Sequence, residues 1–286
     1  MRAIDVPNYN SQEVYQTCIN SIADDWLRNR LNLVSNDIDI AARDYEQKAT
    51  AKQLYTIPPN NDQNDAVALG MVTKKELKEV YSSHMVGRSK PARAIYDWLL
   101  SQAPLGRCPF CGFGHASTLD HYLPKTKFPQ VSVLPLNLVP SCKDCNTGKS
   151  TAIATVAEGQ CLHPYFDHQN FVNEQWLYAE VMRTEPATVR YFVAAPAQWD
   201  DLSKARVQSH FADFKLASRY SVEASSQLAC LRDSLIGYRR VMGREGVGRH
   251  LSIEAQAHAQ QHSNSWQTAM FQALAASDWY CDGGFN

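Results

Sequence analysis

The chain has 286 residues, of which 44% are hydrophobic and 20% charged, with a net charge of −1. That length suits one large domain or two smaller ones with a real core, and the composition excludes a disordered or fibrous chain. Near-neutral charge argues against a polycation that coats nucleic acid indiscriminately. No apolar run approaches a membrane span and the N-terminus has no signal-type core, so a reducing cytoplasm and no membrane partner are expected.

Residues 11–56 read as helical, with Val14, Cys18, Ile22 and Trp26 at four-residue steps and Ala41, Tyr45 and Ala49 continuing the stripe. Pro58-Pro59 and the polar run after it predict a loop over 57–66. Thr73 with Glu76 forms a capping-box signature, opening a helix that faces Leu77, Val80, Tyr81 and His84 inwards. After a basic turn, Pro91 opens another helix carrying Ile95, Trp98 and Leu99 on its inner face, ended by Gly106.

The centre holds two Cys-x-x-Cys pairs, Cys108/Cys111 and Cys142/Cys145, separated by 30 residues. In a reducing compartment such pairs favour metal over disulfide, and four thiolates make a closed tetrahedral zinc site with no position open for chemistry. A structural Zn2+ is therefore expected at these cysteines. The other four, Cys18, Cys161, Cys230 and Cys281, read as buried thiols.

Ser117 to Leu123 predicts a strand carrying Asp120 and His121, and the proline-punctuated 124–135 a loop. Residues 136–139 form a second extended run with Asn137, and a helix starting near 144–146 carries Asn146 and Lys149, with the TAIATVA run as its extension. Strand, loop, strand and helix around a metal make a ββα unit. Neutral imidazole is available as a base near pH 7, so His121 is the candidate general base. Asp120 and Asn146 offer hard oxygen ligands for Mg2+, Mn2+ or a similar ion. Asn137 has donors and acceptors to pin the loop that presents His121, and Lys149 can hold a phosphate oxygen as a point charge.

From Arg88 to Lys149 there are eight basic residues against three acidic ones, leaving −6 for the rest of the chain. A basic patch suits a phosphate ligand, although a solvated basic surface gives the same count.

Beyond Gly159, strands at Trp176–Met182 and Thr188–Val193 predict a hairpin, and the chain is helical from Asp200. Phe211, Phe214 and Ala217 form one stripe, and Leu228, Leu231, Leu235 and Tyr238 another. The MGREGVG run reads as a turn before a last helix near Ser252–Ala276, and His250, His258 and His262 read as exposed. The expected fold is α+β and mostly helical, with an N-terminal helical region (1–104), a zinc-stapled ββα core (105–167) and a C-terminal hairpin plus helices (168–286).

The run Asp120-His121-Tyr-Leu-Pro, then Asn137-Leu, then Cys-x-x-Cys-Asn146-x-Gly-Lys149 resembles the HNH (ββα-metal, His-Me finger) endonucleases in their four-cysteine zinc variant. The resemblance covers roughly residues 105–152. It implies His121 as general base, Asp120 and Asn146 as ligands of the catalytic divalent ion, and Asn137 as the residue that orients the base loop. The third motif letter is Asn rather than His. Together with the HPYFD run (His163 to Asp167) and the helical flanks, the chain also resembles PtuB-type nucleases of bacterial anti-phage systems. That similarity implies a DNA or RNA substrate and an ABC/SMC-like ATPase partner of PtuA type. A zinc-stapled nucleic-acid or partner-binding adaptor without catalysis is the alternative that the cysteines alone allow.

Overall fold

In the computed structural model, which describes residues 1–148, 153–167 and 169–286, the expected α+β and mostly helical class is found. The chain divides into two compact units, residues 2–167 and residues 168–286 together with Met1. Among the described residues no helix is long and apolar enough to cross a membrane.

The first unit opens with three helices where periodicity suggests one. Helix α1 (Ser11–Asn20) is capped by Asn10, whose Oδ1 accepts from the backbone N–H of Gln12 and Glu13. Helix α2 (Asp25–Leu33) starts afresh on the side chain of Asp24, and α3 (Ser35–Thr50) follows Val34. Each restart resets the phase of the apolar stripe. Val14, Cys18 and Ile22 are buried as expected, but Trp26 lies beyond the first break and is 66% exposed.

The short strands β1 (Val67–Leu69) and β2 (Val72–Thr73) lead into α4 (Lys74–Glu79). The capping box is complete: Thr73 Oγ1 accepts from Glu76 N at 3.2 Å, and Glu76 Oε2 accepts from Thr73 N at 2.8 Å. A π-helical turn over Val80–Met85 continues α4, burying Val80, Tyr81 and Met85. On α5 (Arg93–Ser101) the inner face is Tyr96 and Leu99. Trp98, expected inside, is exposed and meets the edge of Tyr9 at a centroid separation of 5.0 Å.

The core of this unit joins Leu31, Leu77, Leu99, Leu119 and Leu138 from three helices and two strands. Burying each such side chain contributes about 1.5–3 kcal/mol. Leu119 and Leu138 belong to the antiparallel pair β3 (Thr118–His121) and β4 (Leu138–Ser141), so the short ladder is anchored by its own inward residues. Helix α6 (Lys143–Gly148) follows β4. Residues 153–156 carry no helix, so the described part of the TAIATVA run does not extend it.

The second unit starts with α7 (Asn170–Asn173) and the predicted hairpin, β5 (Leu177–Met182) against β6 (Thr188–Val193), paired antiparallel from Leu177↔Val193 to Met182↔Thr188. Helix α8 (Asp201–Asp213) begins on the Asp200 cap. The 46-residue α9 (Leu216–Gln261) runs through the expected Gly-rich turn, which is reduced to one break at Gly243 with φ +65°. Only glycine takes that conformation readily. Helix α10 (Trp266–Ala276) is separate from α9 because Asn264 stands between them. Its Oδ1 accepts from the N–H groups of Trp176 (2.8 Å) and Leu177 (3.1 Å), and its Nδ2 donates to the Glu174 carbonyl at 2.8 Å. His262, expected at the surface, is buried beside this junction, and Cys230, expected inside, is exposed.

Candidate functional site

Two tight turns bring the four cysteines together. After Cys108, Gly112 takes φ +78° and its N–H donates to the Cys108 carbonyl at 2.7 Å, closing the first knuckle. The second knuckle runs into α6, whose Asn146 N–H donates to the Cys142 carbonyl at 3.0 Å. The four buried Sγ atoms lie within 4.8 Å of one another. Among the described residues this is the cluster of His, Cys, Asp or Glu side chains suited to a metal ion.

The Cys111 and Cys142 sulfurs are 3.8 Å apart. That is far beyond a disulfide bond and equals the edge of about 3.8 Å expected of a tetrahedron with Zn–S bonds near 2.3 Å. Gly114 N–H donates to Cys111 Sγ and Cys145 N–H to Cys142 Sγ, each at 3.4 Å, and such donors stabilise thiolate ligands. Taken as bare thiols the sulfurs divide their protons unequally. Hydrogen bonds from its three neighbours pull Cys142 down, while burial pushes Cys108 up. A zinc ion removes that competition by holding all four as thiolates. The four cysteines can hold zinc.

Gly114 is locked into this arrangement, since a Cβ there would stand 2.8 Å from both Cβ and Sγ of Cys142. Gly114→Ala is therefore expected to lose bound zinc and about 1–3 kcal/mol of stability. Metal analysis and urea unfolding of the purified variant check this.

Beside the cluster, β3 presents Asp120 and His121 on opposite faces of the ladder. Both are buried, at 6% and 9% exposure. Thr118 shares the Asp120 face, and there Asn146 Nδ2 donates to Thr118 Oγ1 at 3.2 Å. Helix α6 therefore delivers Asn146 to the side of the strand that carries the carboxylate. With Nδ2 turned to the threonine, Oδ1 is the branch that can face a cation. Burial first, and then neighbouring groups that include Asp120, holds the phenols of Tyr45 and Tyr81 well above the usual tyrosine range.

His121 Nε2 is 2.8 Å from the Ser132 carbonyl oxygen. A ring nitrogen facing a carbonyl must donate, so Nε2 carries a proton and Nδ1 is the nitrogen that changes protonation when the ring titrates. The edge of the Tyr81 ring packs against the imidazole, with centroids 4.3 Å apart at 71°. The residue before Ser132 is held by Asn137, which is fully buried. Its Nδ2 donates to the carbonyls of Val131 and Leu123, both at 3.1 Å, and its Oδ1 accepts from Leu123 N–H at 2.7 Å. Asn137 thus ties both ends of the 123–131 loop to one side chain.

Protein ea31 of Escherichia phage lambda is 30% identical to this chain over 293 residues, spanning 97% of the chain and 98% of the relative. The chain belongs to the Ea31 family. No family model matches it, and no solved structure matches it.

Of the residues that sequence singles out in this Ea31-family chain, Asp120, His121, Asn137 and Asn146 lie on or beside the β3–β4–α6 segment. Lys149 lies outside the described residues. His115 is exposed on the knuckle turn, away from the role of ligand. His163 is buried in a separate network: its Nδ1 accepts from Tyr165 N–H at 3.2 Å, so Nε2 donates to Tyr45 Oη, which in turn donates to the Leu136 carbonyl. The sequence reading missed Tyr81, Ser132 and Gly114. Tyr81 carries a core-like signal at helical spacing, Ser132 acts through its main chain, and Gly114 matters only because Cys142 folds back on it.

Proposed function

We propose that this protein is an HNH-type endonuclease that hydrolyses phosphodiester bonds of DNA or RNA with a divalent ion. The observation that carries the reading is the tautomer of His121. Its Nε2–H is engaged with the Ser132 carbonyl, so the neutral ring carries its lone pair on Nδ1, the tautomer this general base needs. Nδ1 would take the proton of the attacking water. The neighbouring Asp120 carboxylate and the Asn146 amide oxygen form a hard, oxygen-only donor set that suits Mg2+ or Mn2+ rather than zinc. Such an ion, when bound, neutralises charge on the phosphate and the departing oxygen. Asn137 holds the loop that orients the imidazole, and the four cysteines with Zn2+ brace the segment from outside. Lys149 is assigned to a phosphate oxygen on the resemblance of the Asn-x-Gly-Lys run.

Incubating the protein with supercoiled plasmid and with tRNA, with and without Mg2+ or Mn2+, is expected to give divalent-dependent scission of at least one. Binding that persists without Mg2+, and no scission with any divalent ion, would put the non-catalytic zinc adaptor in its place. The finer reading is a cytoplasmic effector of anti-phage defence working with an ABC/SMC-like ATPase. It is supported by the PtuB-like motif strings, and failure of such an ATPase to co-purify with the protein removes it.

A further inference from the structure

Four lysines from two distant stretches of the chain lie close together, and one of them, Lys125, reaches towards His121. Lys74 and Lys78 stand on α4, while Lys125 and Lys127 follow β3. Three of them converge on the polar loop 60–64. Lys74 Nζ donates to the carbonyls of Asn60 (3.0 Å) and Asp62 (2.8 Å), Lys78 Nζ to Asn64 Oδ1 (2.8 Å), and Lys127 Nζ to Asn61 Oδ1 (2.6 Å). The main chain adds a further tie, Asn60 N–H to the Lys127 carbonyl at 2.8 Å. Lys125 completes the row towards the site. Its Nζ donates to Ser82 Oγ at 2.8 Å and sits 4.5 Å from the centroid of the Tyr81 ring, which itself packs on His121. The ammonium is therefore about 9 Å at most from the imidazole, with one aromatic ring between them.

Every one of these hydrogen bonds runs to a neutral oxygen. Among the described residues none of the four lysines forms an ion pair with a carboxylate. Neutral acceptors orient an ammonium without cancelling its charge, so the row keeps nearly its full positive field. The lysines feel one another. Burial and then Lys127 and Lys78 press Lys74 downwards, with Asp62 opposing, and burial and then Lys78 do the same to Lys125. Positive groups held together at such a cost mark a surface arranged for an anion.

We infer that Lys78, Lys125 and Lys127 form the docking surface for the phosphate backbone of a nucleic acid strand, leading it past the Asn60–Asn64 loop to His121. The inference rests on the nuclease reading for its direction towards His121, and it adds the surface and its polarity. Lysine serves phosphate as a point charge at a spacing the strand repeats. The amides of Asn61 and Asn64 between the ammonium groups offer donors and acceptors to sugar and base edges. Lys74 is too buried to take part and serves as the anchor of the loop.

The test uses the full chain carrying His121→Ala, without added divalent ion. Its probes are a fluorescein-labelled oligodeoxynucleotide, single-stranded and as duplex, and the RNA of the same sequence. Adding K78Q, K125Q and K127Q together is expected to weaken binding at least about tenfold near 0.1 M salt. The same change makes the log–log salt slope shallower by about two, since each lost phosphate contact removes about 0.7–0.9. The three Lys→Arg changes restore the slope, and Lys48→Gln on α3, where Lys48 already pairs with Asp44, leaves it unchanged. Unchanged zinc content shows that the variant is folded.

A folded triple variant with the parent slope overturns the inference. So does lysine-dependent binding to phosphatidylserine vesicles without binding to any oligonucleotide. If the chain with His121 intact never cuts with Mg2+ or Mn2+ yet the triple variant loses binding, the surface stands and the nuclease reading falls. If the chain with His121 intact cuts with Mg2+ or Mn2+ and the triple variant binds as its His121→Ala parent does, the reverse holds.

Discussion

Replacing His121 with alanine is expected to abolish strand scission while bound zinc and the unfolding midpoint stay close to the parent values. A positioned general base contributes about 10²–10⁴ in rate, equivalent to about 3–5 kcal/mol of barrier. The structural cost is smaller. The imidazole's packing against Tyr81 is worth about 0.5–1.5 kcal/mol, and the Ser132 carbonyl it leaves behind is one acceptor. Activity and stability should therefore separate clearly. Plasmid and tRNA cleavage followed over time, with metal analysis and a thermal melt on the same preparation, make the comparison. Cutting at the parent rate by His121→Ala would refute the assignment of the base.

Cys142→Ser, or removal of zinc by a chelator, is expected to unfold the segment around β3, β4 and α6. Zinc binding by small cysteine sites is worth about 10–16 kcal/mol in apparent free energy, as large as the whole 5–15 kcal/mol margin of a typical domain. The two-stranded β3–β4 ladder and the six-residue α6 have little regular structure of their own to offset that loss. Four buried thiols without a cation would also repel as they ionise. Limited proteolysis is expected to cut first within residues 105–148, and cleavage of nucleic acid to disappear with the fold. A soluble Cys142→Ser variant with the parent digestion pattern would show that the cysteines do not brace this segment.

The four-cysteine cluster was readable because its signals are local. A Cys-x-x-Cys pair closes over four residues, and Gly112 with its positive φ is visible as the knuckle glycine. The Thr73–Glu76 box spans a single turn, and the 177–193 hairpin shows the alternation a strand pair needs. Periodicity failed where helices restart. The stripe through Trp26 assumes one phase, but the Asp24 cap begins a new helix and turns the indole to solvent. Trp98 likewise sits one step off the face set by Tyr96 and Leu99. Composition also misled at MGREGVG, since glycine permits a break without demanding a turn. His262 and Asn264 look like a polar helix end, yet they sit at a junction closed by long-range hydrogen bonds. The lysine row was invisible because Lys78 and Lys125 lie far apart in sequence, and a linear charge count stopped short of α4.

The proton on the His121 imidazole is placed by a peptide oxygen, and every amino acid supplies one. The identity of residue 132 is consequently irrelevant to that part of the chemistry; its hydroxyl serves another purpose, donating to the Leu77 carbonyl at 2.9 Å. Drift at this position leaves the imidazole's hydrogen bond untouched so long as the chain path survives. The letters of such a chain can thus diverge widely while this ring stays oriented, and comparison by residue identity will overlook the main-chain atom that orients it.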